Sequence, residues 1–213
     1  MPGSTPIYGF PYPLSTDLVA NYPALGQDLA EDIEAVLPTL GGLVQSKPTT
    51  IANSGGTATL TSNTVTFTTV NSVSLNGVFT STYSNYHMVL TAAGSTGNSL
   101  YARMRASGTD ATGANYNYRR VENASDGGAQ NNQTTAVIGY VTTSSGQSLL
   151  SAEIVAPQAA APTFMRWSNV VNIPANTEII AVKHDVSTAY DGITIYPSTG
   201  TITGTVAVYG YRK

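Results

Sequence analysis

Acid–base or metal chemistry in this sequence would have to come from two histidines and a scatter of carboxylates. His184 and Asp185 are adjacent, and neighbouring residues on a strand point to opposite faces, so they do not make a catalytic dyad. His87 has no partner near it in sequence. Only a fold that brought His87 against His184 would give a two-histidine metal site, and the expectation is no metal. Glycoside hydrolysis uses a carboxylate pair about 5 to 9.5 Å apart. Asp110, Glu122, Asp126, Glu153, Glu178, Asp185 and Asp191 show no local spacing that singles out two of them. Glu153, within Leu149-Leu-Ser-Ala-Glu-Ile-Val155, reads as the outward residue of a strand, and Asp191-Gly192 as turn chemistry. No GxSxG, P-loop or helix-opening GxGxxG occurs. Zero cysteines remove disulfides, thiolate metal ligands and a cysteine nucleophile together. The residues therefore predict no catalytic group and no cofactor.

Recognition chemistry is better represented. Between Gly113 and Gln133 lie Asn115-Tyr116-Asn117-Tyr118-Arg119-Arg120 and then Asn123-Ala-Ser-Asp-Gly-Gly-Ala-Gln-Asn-Asn-Gln133. Aromatic faces can cover C–H patches of a sugar, while amides and guanidinia satisfy its hydroxyls. Tyr116, Tyr118, Arg119 and Arg120 are the candidate contacts. The plainer reading of the same residues is a strand with Tyr116 and Tyr118 on one face, followed by a loop. Trp167 shares a strand face with Met165, Val171 and Ile173, which assigns it to the core.

Three zones position these residues. Residues 1–22 are proline-rich; Pro6, Pro11 and Pro13 forbid helix and suppress sheet ladders, so an extended arm is expected. It carries Ile7, Tyr8, Phe10, Tyr12 and Leu14, which should lie against something. Residues 23–40 read as a helical neck whose helix runs from Pro23 to Leu37. Pro23 suits its first turn, and Leu25, Leu29, Ile33, Val36 and Leu40 step by 4, 4, 3 and 4 into one apolar stripe. Pro38 and Gly41-Gly42 should end it. So short a helix is marginal alone in water, and three parallel copies burying the stripe would stabilise it. Residues 41–73 read as a connector with a short strand. Residues 74–213 alternate at period two between Gly, Asn, Ser and Asp clusters, which predicts eight or nine strands of an antiparallel β-sandwich. A jelly-roll-like double sheet is the natural order, and an immunoglobulin-like one stays open.

Composition narrows the class. Charged residues are only 10% of the chain, and the net charge is -3. Without a basic patch, nucleic acid and anionic membranes are poor partners. No stretch approaches the roughly 20 apolar residues of a bilayer span, so membrane insertion is not expected. The start lacks a basic and then apolar leader, which predicts synthesis and folding in a cytoplasm.

Two segments resemble tail-fibre and short virion-fibre proteins of bacteriophages. One is Gly9-Phe-Pro-Tyr-Pro-Leu-Ser-Thr-Asp17-Leu-Val with Leu29-Ala-Glu-Asp-Ile33-Glu-Ala-Val-Leu37. The other comprises Gly77-Val-Phe79-Thr-Ser-Thr-Tyr83-Ser-Asn-Tyr86, Arg103-Met-Arg105-Ala-Ser-Gly108 and Ile193-Thr-Ile-Tyr196-Pro-Ser-Thr-Gly200-Thr-Ile-Thr-Gly204-Thr-Val-Ala-Val-Tyr209-Gly-Tyr211. The resemblance implies a homotrimer in the virion. In it, 1–22 attaches to other virion proteins through Ile7, Tyr8, Phe10, Tyr12 and Leu14. Leu25, Leu29, Ile33 and Val36 then form a trimeric neck, and the sandwich is a head that meets host cell-surface glycan. The connector is brief, which favours a short fibre or a head-mounted decoration over a long fibre, and a short tail fibre is the leading expectation. A capsid-mounted fibre or decoration protein and a polysaccharide-degrading tail spike are the alternatives.

Overall fold

The computed structural model describes residues 3–4, 11–12, 14, 22–40, 42–122, 125–143, 147–171 and 176–212. The chain divides into a small compact unit up to Val44 and a large one from Gln45 to Tyr211.

In the small unit, β1 (Gly3–Ser4) and β2 (Pro11–Tyr12) pair antiparallel, with Gly3 opposite Tyr12. The prolines were expected to keep the arm out of any ladder. A ladder two residues long tolerates Pro11, whose missing N–H would matter inside a sheet but not at so short an edge. Helix α1 spans Tyr22–Leu40. Pro23 falls in the first turn, where its lost donor has no intrahelical partner anyway. Gln27 Nε2 donates to Glu31 Oε1 at 2.7 Å, one turn on. The helix does not stop at Pro38. A proline removes one backbone bond to the preceding turn, and so close to the C-terminus few further bonds depend on it. Along the stripe, Leu25 and Leu29 are half-buried, and Ile33 keeps 37% of its surface exposed. The Val36 and Leu40 side chains lie outside the described residues.

The remaining strands are β3 (Leu43–Ser46), β4 (Thr50–Ser54), β5 (Thr57–Thr61), β6 (Thr64–Val70), β7 (Ser72–Asn76), β8 (Asn85–Gly94), β9 (Asn98–Ala106), β10 (Thr109–Asp110), β11 (Tyr116–Glu122), β12 (Ser125–Gln133), β13 (Ala136–Val141), β14 (Ser148–Val155), β15 (Thr163–Val171), β16 (Asn176–His184), β17 (Gly192–Pro197) and β18 (Ile202–Tyr211). A small sheet runs β10–β9–β17–β7–β4, with β13 also on β9. A large one runs β12–β11–β16–β15–β14–β8–β18–β6–β5. The ladders are antiparallel, and the two sheets form a sandwich-like arrangement, so the chain is mainly β.

Period two explains the packing. On β8, Tyr86, Met88, Leu90 and Ala92 are buried, and on β15 so are Met165, Trp167 and Val171. Leu100, Ala102 and Met104 of β9 and Ile193 and Ile195 of β17 belong to the same core. Each such large side chain contributes about 1.5–3 kcal/mol by leaving water. The core position expected of Trp167 is what the structure has: no part of it is exposed. β13 bulges between Val137 and Gly139, and a Cβ on Gly139 would crowd the Leu150 and Asn169 side chains, so only glycine lets this strand sit so close to β14 and β15.

Two expectations need correction. Residues 41–73 are not a connector with one short strand. β4 and β7 extend the small sheet, β5 and β6 extend the large one, and Val65, Phe67, Val70 and Val73 are fully buried in the core. Their alternation is written mostly in Thr and Ser, which reads weakly as a hydrophobic period. Likewise 113–133 is not a strand and loop but largely a hairpin, β11 with β12, irregular in register between Tyr116/Tyr118 and Arg119/Val121.

Candidate functional site

The large sheet has an outward face, and there alternate residues of five strands line a cleft of about 440 Å³. Strand register sets its layout. One row runs Arg119, Ala181, Arg166, Glu153, His87 and Tyr209 across β11, β16, β15, β14, β8 and β18. The next row runs Asn117, Lys183, Phe164 and Val155. Ala129 and Asn131 of β12 line the side toward the sheet edge. Phe164 is 50% exposed, an unusual placement for a phenylalanine on a folded strand.

The polar groups in these rows are partly committed. His87 Nδ1 lies 2.8 Å from Glu153 Oε1, and the Tyr211 hydroxyl donates to Glu153 Oε2 at 2.6 Å. That bond to the carboxylate raises the Tyr211 pKa above its ordinary value. Lys183 Nζ lies 2.9 Å from Asp185 Oδ2 at the surface. Arg166 is exposed, and among the described residues it makes no ion pair. Chemically the cleft offers an aromatic face, amides, guanidinia and an ammonium around an apolar floor. That set suits the C–H and hydroxyl surface of a polyol.

The candidate contacts from the sequence part company here. Arg119 lines the cleft, and Tyr118 borders it while packing half-buried against the core. Arg120 points inward: its guanidinium pairs with Glu178 at 2.5 Å and with Glu122 at 2.8 Å, and Glu178 is wholly buried. Tyr116 has no exposed surface. Its hydroxyl accepts from the Met104 N–H at 2.8 Å and donates to the Ala111 carbonyl at 3.1 Å, and its ring stacks on His184 with centroids 4.1 Å apart. The expectation that Tyr116 meets a ligand at the surface is therefore corrected. The unbroken register of β11 on β16 sets Tyr116 opposite the buried His184 on the inner face, and burial pushes its phenol pKa up.

The histidines also lie apart. His87 faces outward, whereas His184 is buried, with Nε2 2.7 Å from the Tyr190 hydroxyl. The two-histidine metal site is thus not assembled, and among the described residues no group of three or more His, Cys, Asp or Glu could hold a metal. Asp185, just past the end of β16, is exposed, whereas His184 is buried. In the arm, Tyr12 and Leu14 are exposed, and Ile7, Tyr8 and Phe10 lie outside the described residues.

Sequence reasoning missed Phe164, Arg166 and the partners of Glu153. A signal for the first two was present: the alternation that buries Met165 and Trp167 forces Phe164 and Arg166 outward together. The union of Glu153 with His87 and Tyr211 spans more than fifty residues either way and has no local trace. No known family, characterised protein or solved structure matches this chain.

Proposed function

We propose that this protein is a short, trimeric bacteriophage virion fibre with a jelly-roll-type head. On this reading the N-terminal arm docks on other virion proteins, three copies of α1 bury their apolar stripes together, and the head holds host surface glycan in the outward cleft without cutting it. The observation that carries the binding role is Phe164, held open beside Arg166, Arg119, Asn117 and Asn131. An exposed aromatic face flanked by amides and guanidinia fits a sugar ring better than it fits bulk water. The stripe on α1, with Ile33 still exposed, supports the trimeric neck, because so short a helix gains most of its stability by packing.

Binding of the purified full chain to isolated bacterial envelopes tests the reading. The expected result is retention that Phe164→Ala weakens by roughly ten- to a hundredfold, the size of a stacked aromatic contact worth about 1–3 kcal/mol. The envelope glycan should be recovered intact. Release of oligosaccharides would replace the binding role with a degrading one.

A further inference from the structure

We propose that the cleft selects a uronate-bearing glycan, with Arg166 pairing a sugar carboxylate while the adjoining ring lies on Phe164. This rests on the reading of the cleft as a glycan site and adds the charge of its ligand.

Glu153 is the residue that leaves Arg166 unpaired among the described residues. Register places it directly opposite Arg166 on the neighbouring strand, where a cross-strand ion pair would ordinarily form. Instead both carboxylate oxygens are engaged on the far side, Oε1 by His87 of β8 and Oε2 by Tyr211 of β18. Among the described residues, the carboxylate that lines the cleft is thereby drawn away, and Arg166 is left exposed with no ion pair. A guanidinium is a planar fork of donors that matches a carboxylate bidentately.

The surroundings agree in sign. Among the described residues that line the cleft, the cationic side chains are Arg119, Arg166 and Lys183 and the carboxylate is that of Glu153. Lys183 already shares its charge with Asp185, which puts the weight on Arg166. Between Arg119 and Arg166 the row holds only the methyl group of Ala181, so nothing bulky stands between the two guanidinia. Phe164 decides the class of anion. A polyol-phosphate chain would offer charge but no ring face to cover it, whereas a uronic acid offers both.

The test is calorimetric titration of the full chain with oligosaccharides of galacturonate, mannuronate, guluronate and hyaluronan. Each is paired with its carboxyl-reduced counterpart, and a glycerol-phosphate oligomer is run beside them. At least one uronate should bind ten times or more tightly than its reduced form. Arg166→Gln should abolish that preference with an unchanged melting temperature, and Arg166→Lys should restore part of it. Equal binding of the reduced sugars would overturn the charge assignment while leaving the glycan reading standing. Preference for the glycerol-phosphate oligomer would overturn it in favour of a phosphate ligand. Binding of no sugar at all would remove both the inference and the reading beneath it.

Discussion

Truncating Tyr116 separates a surface contact from a core residue. The side chain is entirely buried, its ring rests on His184, and its hydroxyl joins the Met104 N–H of β9 to the Ala111 carbonyl. Tyr116→Ala opens a cavity of the kind that costs about 3–5 kcal/mol. It also strands the Met104 donor, worth about 1–3 kcal/mol if no water reaches it. The two terms overlap where water enters, so a loss on the order of 5 kcal/mol is expected, a large share of a typical domain's 5–15 kcal/mol. For a unit of this size 1 kcal/mol moves Tm by about 2–4 °C, so Tm should fall by about 10–20 °C.

Tyr116→Phe keeps the ring and loses only the hydroxyl. It should cost about 1–3 kcal/mol, distinctly less than the alanine variant. Differential scanning calorimetry reads both, with near-ultraviolet circular dichroism reporting the aromatic packing. A Tyr116→Ala protein that melts with the wild type but no longer binds cells would refute the buried placement and return Tyr116 to the surface.

Three further outcomes are expected. Arg120→Ala leaves Glu178 buried with, among the described residues, the Asn169 amide beside it, and denaturant unfolding should show a loss of about 3 kcal/mol, whereas Glu122→Ala, nearer the surface, should cost under about 1 kcal/mol. Burial lowers the pKa of His184 from 6.5 to about 4, so the unfolded chain takes up a proton before the folded one; stability is full above pH 6.5 and falls by roughly 3 kcal/mol as pH drops to 4, a slope that His184→Asn should flatten in unfolding measured across that range. Ile33→Asp on the apolar stripe should convert the proposed trimer to a monomer in sedimentation while the melting of the large unit is unchanged.

What the sequence made legible followed from period. Strands such as β8, β9 and β15 alternate bulky apolar with polar residues, so their existence, their inward faces and the core role of Trp167 could be read directly. Segment 50–73 carries the same alternation in Thr and Ser, and only the pairing of β5 with β6 and of β4 with β7 shows that Val65, Phe67 and Val73 close the core. The hairpin of β11 and β12 hid for the opposite reason. Its Asn, Gly and Gln residues look like loop, and its β structure follows from the β16 edge beside which β11 lies. Tyr116 and Arg120 went astray because their polarity suggested solvent, whereas buried hydroxyl and guanidinium groups are stable once paired as these are.

A sheet buried on one face fixes which residues face outward, because slipping any strand by one position would expose the core. Burying Trp167 and Met165 therefore commits Phe164 and Arg166 to the outer face, with no freedom to withdraw either. Burying Tyr86 and Met88 in turn commits His87 outward beside Glu153, and burying Val206 and Val208 commits Tyr209 and Tyr211 likewise. Register thus fixes which groups share the outer face, and the bonds from Glu153 to His87 and Tyr211 leave Arg166 without it. Glu153→Ala removes the carboxylate that holds His87 and Tyr211 and leaves the Arg166 guanidinium in place. Retained or tightened uronate binding by folded Glu153→Ala is the expected result, and a tenfold loss would mean that Glu153, not Arg166, touches the sugar.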